Sequence, residues 1–377
     1  MRRYERSGIK MRLLGAALAL GLVGATVRAA PAAQTAPLKP LPYTGVNLAG
    51  GEFYDPNKVS EPLHGKNFTY PTAAEFDYFA GKGMNVFRVP FRWETLQPAA
   101  KQPFRKAEID RLKACVKLGT DRGLVVILDP HNSARYFGKV VGGPEVGHDV
   151  FADFWARLSA EFKGDQKVWF GLVNEPHGMP TAQWVEAANA AIAAIRKAGA
   201  RNRLLVPGNA WSGAHSWLAD WYGGPNGVHL LDIRDPQNNY LIEVHQYLDP
   251  DSSGTRPEVV SPTIGSERIR AFTEWCRKHK KRAFLGEFAA APGEAGQRAI
   301  DDLLRAMERD RDVWVGFTWW AAGAWWGDYM FSLEPKDGRD RPQMAYLRPH
   351  LQPSKTTGGG EARRRPASPA VTDRHTP

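Results

Sequence analysis

Cysteine is almost missing from this chain: 377 residues carry two, Cys115 and Cys276. A fold stapled by disulfides is thereby excluded, because small scaffolds of that kind are cysteine-dense. Both residues fall in helical patterns in separate parts of the chain, so two free, buried thiols are expected. Ligand motifs for metals are missing as well. There is no H-E-x-x-H, no paired-cysteine spacing and no calcium-loop signature, so no metal is expected. No G-x-G-x-x-G turn follows an apolar run, which argues against a doubly wound nucleotide-binding sheet and against a cofactor. No G-x-S-x-G elbow appears, which argues against a serine esterase. Long apolar runs are scarce too. The only candidate, Leu13 to Val27, is too short and too rich in Ala and Gly for a comfortable bilayer span, and no later stretch could span.

That run instead follows a basic stretch, Arg2, Arg3, Arg6, Lys10 and Arg12, and leads into Ala29 and Ala30. A basic start, an apolar middle and small residues make an export signal. We expect residues 1–29 to be the signal, 30–42 a linker and 43–352 one folded domain. Residues 353–377, rich in Gly, Pro, Ser and Arg, form a tail expected to be disordered. The mature chain is expected outside the cytoplasm, extracellular or periplasmic, as a monomer off the membrane.

The net charge of +10 suggests a nucleic-acid partner only until it is located. Residues up to Arg28 hold six bases and one acid, and those from Ser354 hold five bases and two acids, which leaves about +2 on the body. Nucleic acid is therefore not an expected partner.

Tryptophan, by contrast, is plentiful, at 13 residues. Its indole N–H needs a partner when buried, so many Trp in an exported chain suggest flat platforms for sugar rings, the alternative being a Trp-rich core. The body also carries eight short apolar runs, spaced by roughly 35–45 residues as parallel strands joined by helices require. They are Tyr43–Leu48, Met84–Pro90, Leu124–Pro130, Val168–Asn174, Arg203–Pro207, Tyr240–Gln246, Arg282–Phe288 and Val313–Trp320. Helical spacing fills the gaps, for example Ile109, Leu112, Cys115 and Val116 in Lys106–Arg122. Strand and helix alternating in this way predict an α/β fold, a single-domain (β/α)8 TIM barrel.

Barrel enzymes hold their chemistry at the C-terminal ends of the strands. Polar residues there are Arg88, His131, Asn132, Asn174, Glu175, His245, Tyr247, Glu287 and Trp320. Charge at the end of a buried strand is costly unless it is paired or used. Glycosidic cleavage needs one carboxyl to protonate the leaving oxygen and a second to attack the anomeric carbon or activate water. Glu175 and Glu287, on the fourth and seventh strands, fit. Attack needs one ionised and departure needs the other protonated, so their surroundings must separate them. Each taken alone could be a structural carboxylate paired with Arg88.

Six runs in order, NVFRVP, HNSAR, WFGLVNEPH, VHQYLD, LGEF and WWAAG, resemble glycoside hydrolase family 5, in its branch of secreted endo-β-1,4-glucanases. The resemblance runs from Tyr43 to Leu347. It implies Glu175 as acid/base, left protonated by its neighbour's negative charge, and Glu287 as nucleophile. Arg88 and Tyr247 would bond Glu287 and keep it ionised. Asn174 would bond the sugar 2-hydroxyl, and His131 the sugar before the cut. His245 would sit beside Glu175 or the substrate, and Trp320 would stack under the ring under attack. Asn132 could bind substrate or only support its neighbours. Asp249 could border the cleft or cap a turn. Trp211, Trp325, Trp326 and Trp93 are candidates for distal platforms or rim packing, with Trp211 and Trp325 first.

Three readings follow. One is a retaining β-1,4-glucanase acting on β-glucan polysaccharide or oligosaccharide. Another is a related retaining enzyme for mannan, xyloglucan or mixed-linkage glucan. The third is a non-catalytic sugar-binding barrel, which would be expected to have lost one of the two glutamates.

Overall fold

The eight apolar runs become the staves of one closed parallel barrel. The computed structural model describes residues 38–353, so the expected signal and most of the expected tail lie outside the described residues. In chain order the elements are β1 (Tyr43–Leu48), α1 (Ala73–Gly81), β2 (Val86–Phe91), α2 (Trp93–Leu96), α3 (Lys106–Thr120), β3 (Val125–Pro130), β4 (Arg135–Tyr136) and β5 (Lys139–Val140). Then come α4 (His148–Phe162), β6 (Val168–Gly171), α5 (Thr181–Lys197), β7 (Leu204–Pro207), α6 (Asn226–His229) and β8 (Tyr240–His245). The chain finishes with α7 (Ile264–Lys278), β9 (Ala283–Glu287), α8 (Glu294–Arg309), β10 (Trp314–Ala322) and α9 (Met344–Leu347). The sheet closes in the order β1-β10-β9-β8-β7-β6-β3-β2.

Every barrel strand is buried on both faces, and the two faces do different work. Phe87, Val126, Phe170, Ile242 and Leu285 point outward into the main core under the helices. The residues next to them point inward. Val86, Ile127, Trp169, Leu205, Leu241, Phe284 and Val315 form a separate apolar plug. That plug fills the lower barrel, as the interior of an eight-stranded barrel requires. Two residues further along the strands, the inward positions turn polar: Arg88, Asp129 and Glu243, each fully buried.

Six long helices fill the gaps between strands as predicted, and α3 ends within two residues of the expected Lys106–Arg122. Two crossovers differ from a full eight-fold alternation. Between β7 and β8 only short turns and α6 occur, and after β10 only α9 follows the long loop. The first of these segments contains Gly223-Gly224-Pro225, which breaks helical periodicity and leaves loop where a helix would pack. The hairpin of β4 and β5 after β3 was not predicted; two residues per strand leave too little alternation to read.

Cys115 and Cys276 are free and buried, as expected. No helix of the described residues is long and apolar enough to cross a membrane. The ends of the described chain meet at the N-terminal face of the barrel, where the Gln352 amide donates to the Leu41 carbonyl.

Candidate active site

Arg88 is the centre of the polar layer. Its side chain is fully buried, and its Nη1 lies 2.9 Å from Asp129 Oδ2 and 3.0 Å from Glu287 Oε1. Nε lies 3.0 Å from Glu243 Oε1. Nη1 also donates to Asn47 Oδ1 at 3.0 Å and Nη2 to Asn174 Oδ1 at 2.9 Å. One planar guanidinium thus holds side chains from five strands or strand ends, which only its fixed fork of donors permits. Burial works against the guanidinium charge, but Asp129, Glu243, Glu287 and Glu175 outweigh it and raise its pKa.

Glu287 owes its inward aim to a register shift. Val244 of β8 pairs with Leu285 of β9, but the next residue, His245, pairs with Glu287. The extra residue, Gly286, makes a bulge, the usual device for re-aiming a side chain. Glu287 then receives Arg88 on Oε1 and the Tyr247 hydroxyl on Oε2 at 2.8 Å. Glu175 stands just beyond β6 with a φ of +45°, a left-handed backbone that a non-glycine residue adopts only when its surroundings impose it. Its Oε1 lies 2.8 Å from His245 Nδ1, and the same nitrogen is 3.6 Å from Glu287 Oε2.

Protonation differs from the sequence expectation in one respect. Burial would raise the Glu175 carboxyl, but the His245 hydrogen bond and the charges of His245, His131 and Arg88 hold it below the usual range. Burial likewise opposes charge on His245, yet Glu287, Glu175 and Glu243 push it up to about 10. Both directions favour the proton on His245 over Glu175, its partner one hydrogen bond away. Glu175, His245 and Glu287 each offer an atom within 4.8 Å of the others. They could hold a metal ion only if His245 gave up that proton.

A groove runs away from this cluster on both sides. On one side a cavity of about 650 Å³ is lined by His131, Trp320, Trp326, Arg92 and Glu52 among others. Trp320 stacks on His131 with ring centres 5.2 Å apart, and His131 is itself tied to Asp129 at 2.8 Å. On the other side a cavity of about 460 Å³ is lined by Glu175, Trp211, His215, Trp221, His245 and Tyr247 among others. Trp211 is 42% exposed and lies flat on His177, 4.6 Å between centres. Three consecutive residues, Ala210, Trp211 and Ser212, have φ between 53° and 57°. Each costs of order 1 kcal/mol in that region, so the turn that aims the indole is strained. Hydrogen bonds from Trp211 N to Pro176 O and from Ser212 Oγ to Glu243 O secure it.

Arg88, Asn174, Glu175, His245, Tyr247, Glu287, His131 and Trp320 therefore meet in one cluster. Four other candidates stand differently. Asn132 lines the first cavity and also donates to Arg135 O, which ties down the loop after β3. Asp249 is buried and accepts from Gly254 N at 3.1 Å and Ser253 Oγ at 3.0 Å, so it organises the 249–255 turn, and that turn's serines, not Asp249, line the groove. Trp325 is 40% exposed and lines neither cavity, whereas its neighbour Trp326 lines the first. Trp93 is core, packed on Phe154 and bonded to Gln97.

The sequence reading missed Asp129, Glu243, Asn47 and Trp221. Asp129 and Glu243 interrupt the apolar runs LVVILDP and YLIEVHQ at inward positions. A charge inside a doubly buried strand was the available signal, and a search confined to strand ends passes over it.

The family model described as cellulase (glycosyl hydrolase family 5) matches residues 44–323. An endoglucanase of Neurospora crassa is 39% identical over 298 residues, 78% of this chain and 73% of that protein. XacCel5A, solved in complex with cellopentaose, is 47% identical with a TM-score of 0.80, over 82% of this chain and 99% of that one. Pseudomonas stutzeri endoglucanase Cel5A, solved with cellobiose, is 33% identical with a TM-score of 0.77, over 84% and 94%. With the family's barrel, its match across the whole catalytic stretch and a paired-glutamate cluster at the strand ends, the chain belongs to glycoside hydrolase family 5, the cellulases.

Proposed function

We propose that this enzyme is a secreted endo-β-1,4-glucanase that cuts internal bonds with net retention. The observation that carries the reading is the closeness of Glu175 and Glu287. Their nearer oxygens lie within 4.8 Å, which leaves no room for the water that inverting enzymes place between carboxyls about 6.5–9.5 Å apart. Glu287 then attacks the anomeric carbon while the Glu175–His245 pair supplies the proton to the departing oxygen. Arg88 and Tyr247 hold both nucleophile oxygens, so the attacking geometry is set before substrate arrives. Asn174 Nδ2, 3.2 Å from His131 Nε2, serves the 2-hydroxyl of the sugar stacked on Trp320. In the second half-reaction Glu175 takes a proton from water, which releases the glycosyl group from Glu287.

Internal cleavage is supported by the groove, which continues past the cluster in both directions, with Trp320 and Trp326 on one side and Trp211 and Trp221 on the other. The cellopentaose complex of XacCel5A supports a β-glucan substrate for its relative here. Export is supported by the basic and apolar leader in the sequence. The test is proton NMR of early products from a cellopentaose digest, with viscosity and reducing ends followed on carboxymethylcellulose. The β-anomer should appear first, and viscosity should fall well before reducing ends accumulate. Initial α-anomer would overturn retention, and parallel loss of viscosity and gain of ends would overturn internal cutting. Barley glucan, xyloglucan and glucomannan assayed alongside decide the preferred chain.

A further inference from the structure

Beneath the catalytic cluster lies a carboxylate that the mechanism above does not use. Glu243 sits two residues before His245 on β8, so both side chains point into the barrel. It is fully buried. Its Oε1 is 3.0 Å from Arg88 Nε and 3.8 Å from His245 Nε2. Neither carboxylate oxygen has a well-aligned hydrogen bond, and neither does His245 Nε2. An ionisable group this deep is costly unless its charge is used, and Arg88 is already shared among Asp129 and Glu287.

The surroundings are shaped to admit it. A Cβ at Gly286 would fall 2.4 Å from Glu243 Oε1 and 2.9 Å from His245 Nε2. Position 286 must therefore lack a side chain for these two groups to lie side by side. The same glycine makes the bulge that turns Glu287 inward. Ser212 Oγ bonds the Glu243 carbonyl and fixes the strand from the other side.

His245 is thus bracketed by acids. Glu175 and Glu287 face Nδ1, and Glu243 is the acid nearest Nε2. Arg88, Asp129 and His131 are further charged or titratable groups packed around them. We propose that Glu243 is a positioning residue: from below it keeps a proton on His245 Nε2 and so turns Nδ1, with the proton it shares, toward Glu175. The inference rests on the retaining reading, with Glu175 as acid/base. It parallels the way a buried acid fixes the tautomer of a catalytic imidazole.

The proton count closes over a turnover. At rest the Nδ1 proton is shared across the 2.8 Å to Glu175. As the C–O bond breaks, the shared proton crosses from His245 through Glu175 to the leaving oxygen, which leaves Glu175 a carboxylate, and Glu287 forms the ester bond. His245 is then neutral, its remaining proton held at Nε2 over Glu243. When water attacks the ester, Glu175 removes a proton from it, the shared proton returns to the pair, and Glu287 leaves as carboxylate.

The test is Glu243→Gln, which keeps shape and removes charge, beside Glu243→Asp, which keeps charge. With cellopentaose, Glu243→Gln should move the alkaline limb of kcat/KM down by about one pH unit or more. At pH 8 kcat should fall roughly tenfold or more, with KM within about twofold. Glu243→Asp should restore the limb. Nitrogen-15 histidine NMR of the wild type, with His245 identified by the signal lost in His245→Asn, provides a readout that does not depend on the variant folding. Doubly protonated His245 at pH 8 supports the proposal. Loss of its second proton below about pH 7, or an alkaline limb unmoved in Glu243→Gln, overturns it. The anomer of the first product tests the retaining reading separately, because Glu243→Gln should leave it β.

Discussion

Replacing Arg88 with Met tests whether one guanidinium holds the barrel mouth together. The substitution keeps much of the volume and removes the donors. Asp129, Glu243 and Glu287, which lie 2.9–3.0 Å from it, would be left as buried acids with no cation in contact other than the histidines. Removing one partner from a buried ion pair costs about 3–5 kcal/mol, and three acids share this one. For a domain of about 300 residues the unfolding entropy near the midpoint is roughly 0.6 kcal/mol/K, so Tm should fall by about 5–8 °C. The loss should depend on pH in a defined direction. Burial raises the Asp129 carboxyl, but Arg88 and His131 outweigh it and hold it below its ordinary value. A depressed acid stabilises the fold above its unfolded pKa of about 3.9 and loses that contribution as pH falls through the folded value. The Tm gap between wild type and Arg88→Met should therefore be widest near neutrality and narrow below about pH 4. Differential scanning calorimetry from pH 3 to pH 7 measures it. A gap under 2 °C at pH 7, or one that widens on acidification, would refute the reasoning.

Three further outcomes are expected. Glu175→Ala should still glycosylate on substrates with good leaving groups, and azide should rescue it to a β-glycosyl azide. Glu287→Ala should be inert without azide and give the α-azide with it; product NMR showing the reverse would exchange the two roles. Trp211→Ala should lower kcat/KM on cellopentaose roughly tenfold, the kinetic equivalent of about 1–1.5 kcal/mol of stacking, and leave an aryl cellobioside almost unaffected. Equal losses on both substrates would show that the strained turn, not the platform, was damaged. Prolonged treatment with a chelator should leave carboxymethylcellulase activity unchanged; loss restored by one divalent ion would show a metal requirement.

Much of the fold was legible because parallel strands buried on both faces leave continuous apolar runs, and VFRVP, VVILDP and LIEVH read as little else. Glu175 and Glu287 were legible because each ends such a run. The interior charges were less visible, although Asp129 and Glu243 obey the same rule, since an acid within a run reads as its boundary. Loops hide more. Adjacent Trp325 and Trp326 must diverge, but nothing in WWGDYMFSLEP says which one turns to the groove. Asp249, in YLDPDSSG, has the chemistry of both a ligand and a turn former, and only the positions of Ser253 and Gly254 decide between them. Trp221 sits beside two glycines and a proline, where no period exists to assign its direction.

The hydrogen bond from Gln352 to Leu41 makes the barrel nearly continuous as a chain as well as a sheet. Leu41 and Gln352 lie together on the face opposite the groove, so a partner joined beside either one stays off the substrate path. The same adjacency means that a short peptide could join them and new ends be opened in another connection on that lower face, such as the one at Arg122-Gly123 between α3 and β3. The order of the strands along the gene is in that sense arbitrary, while their order around the barrel is not.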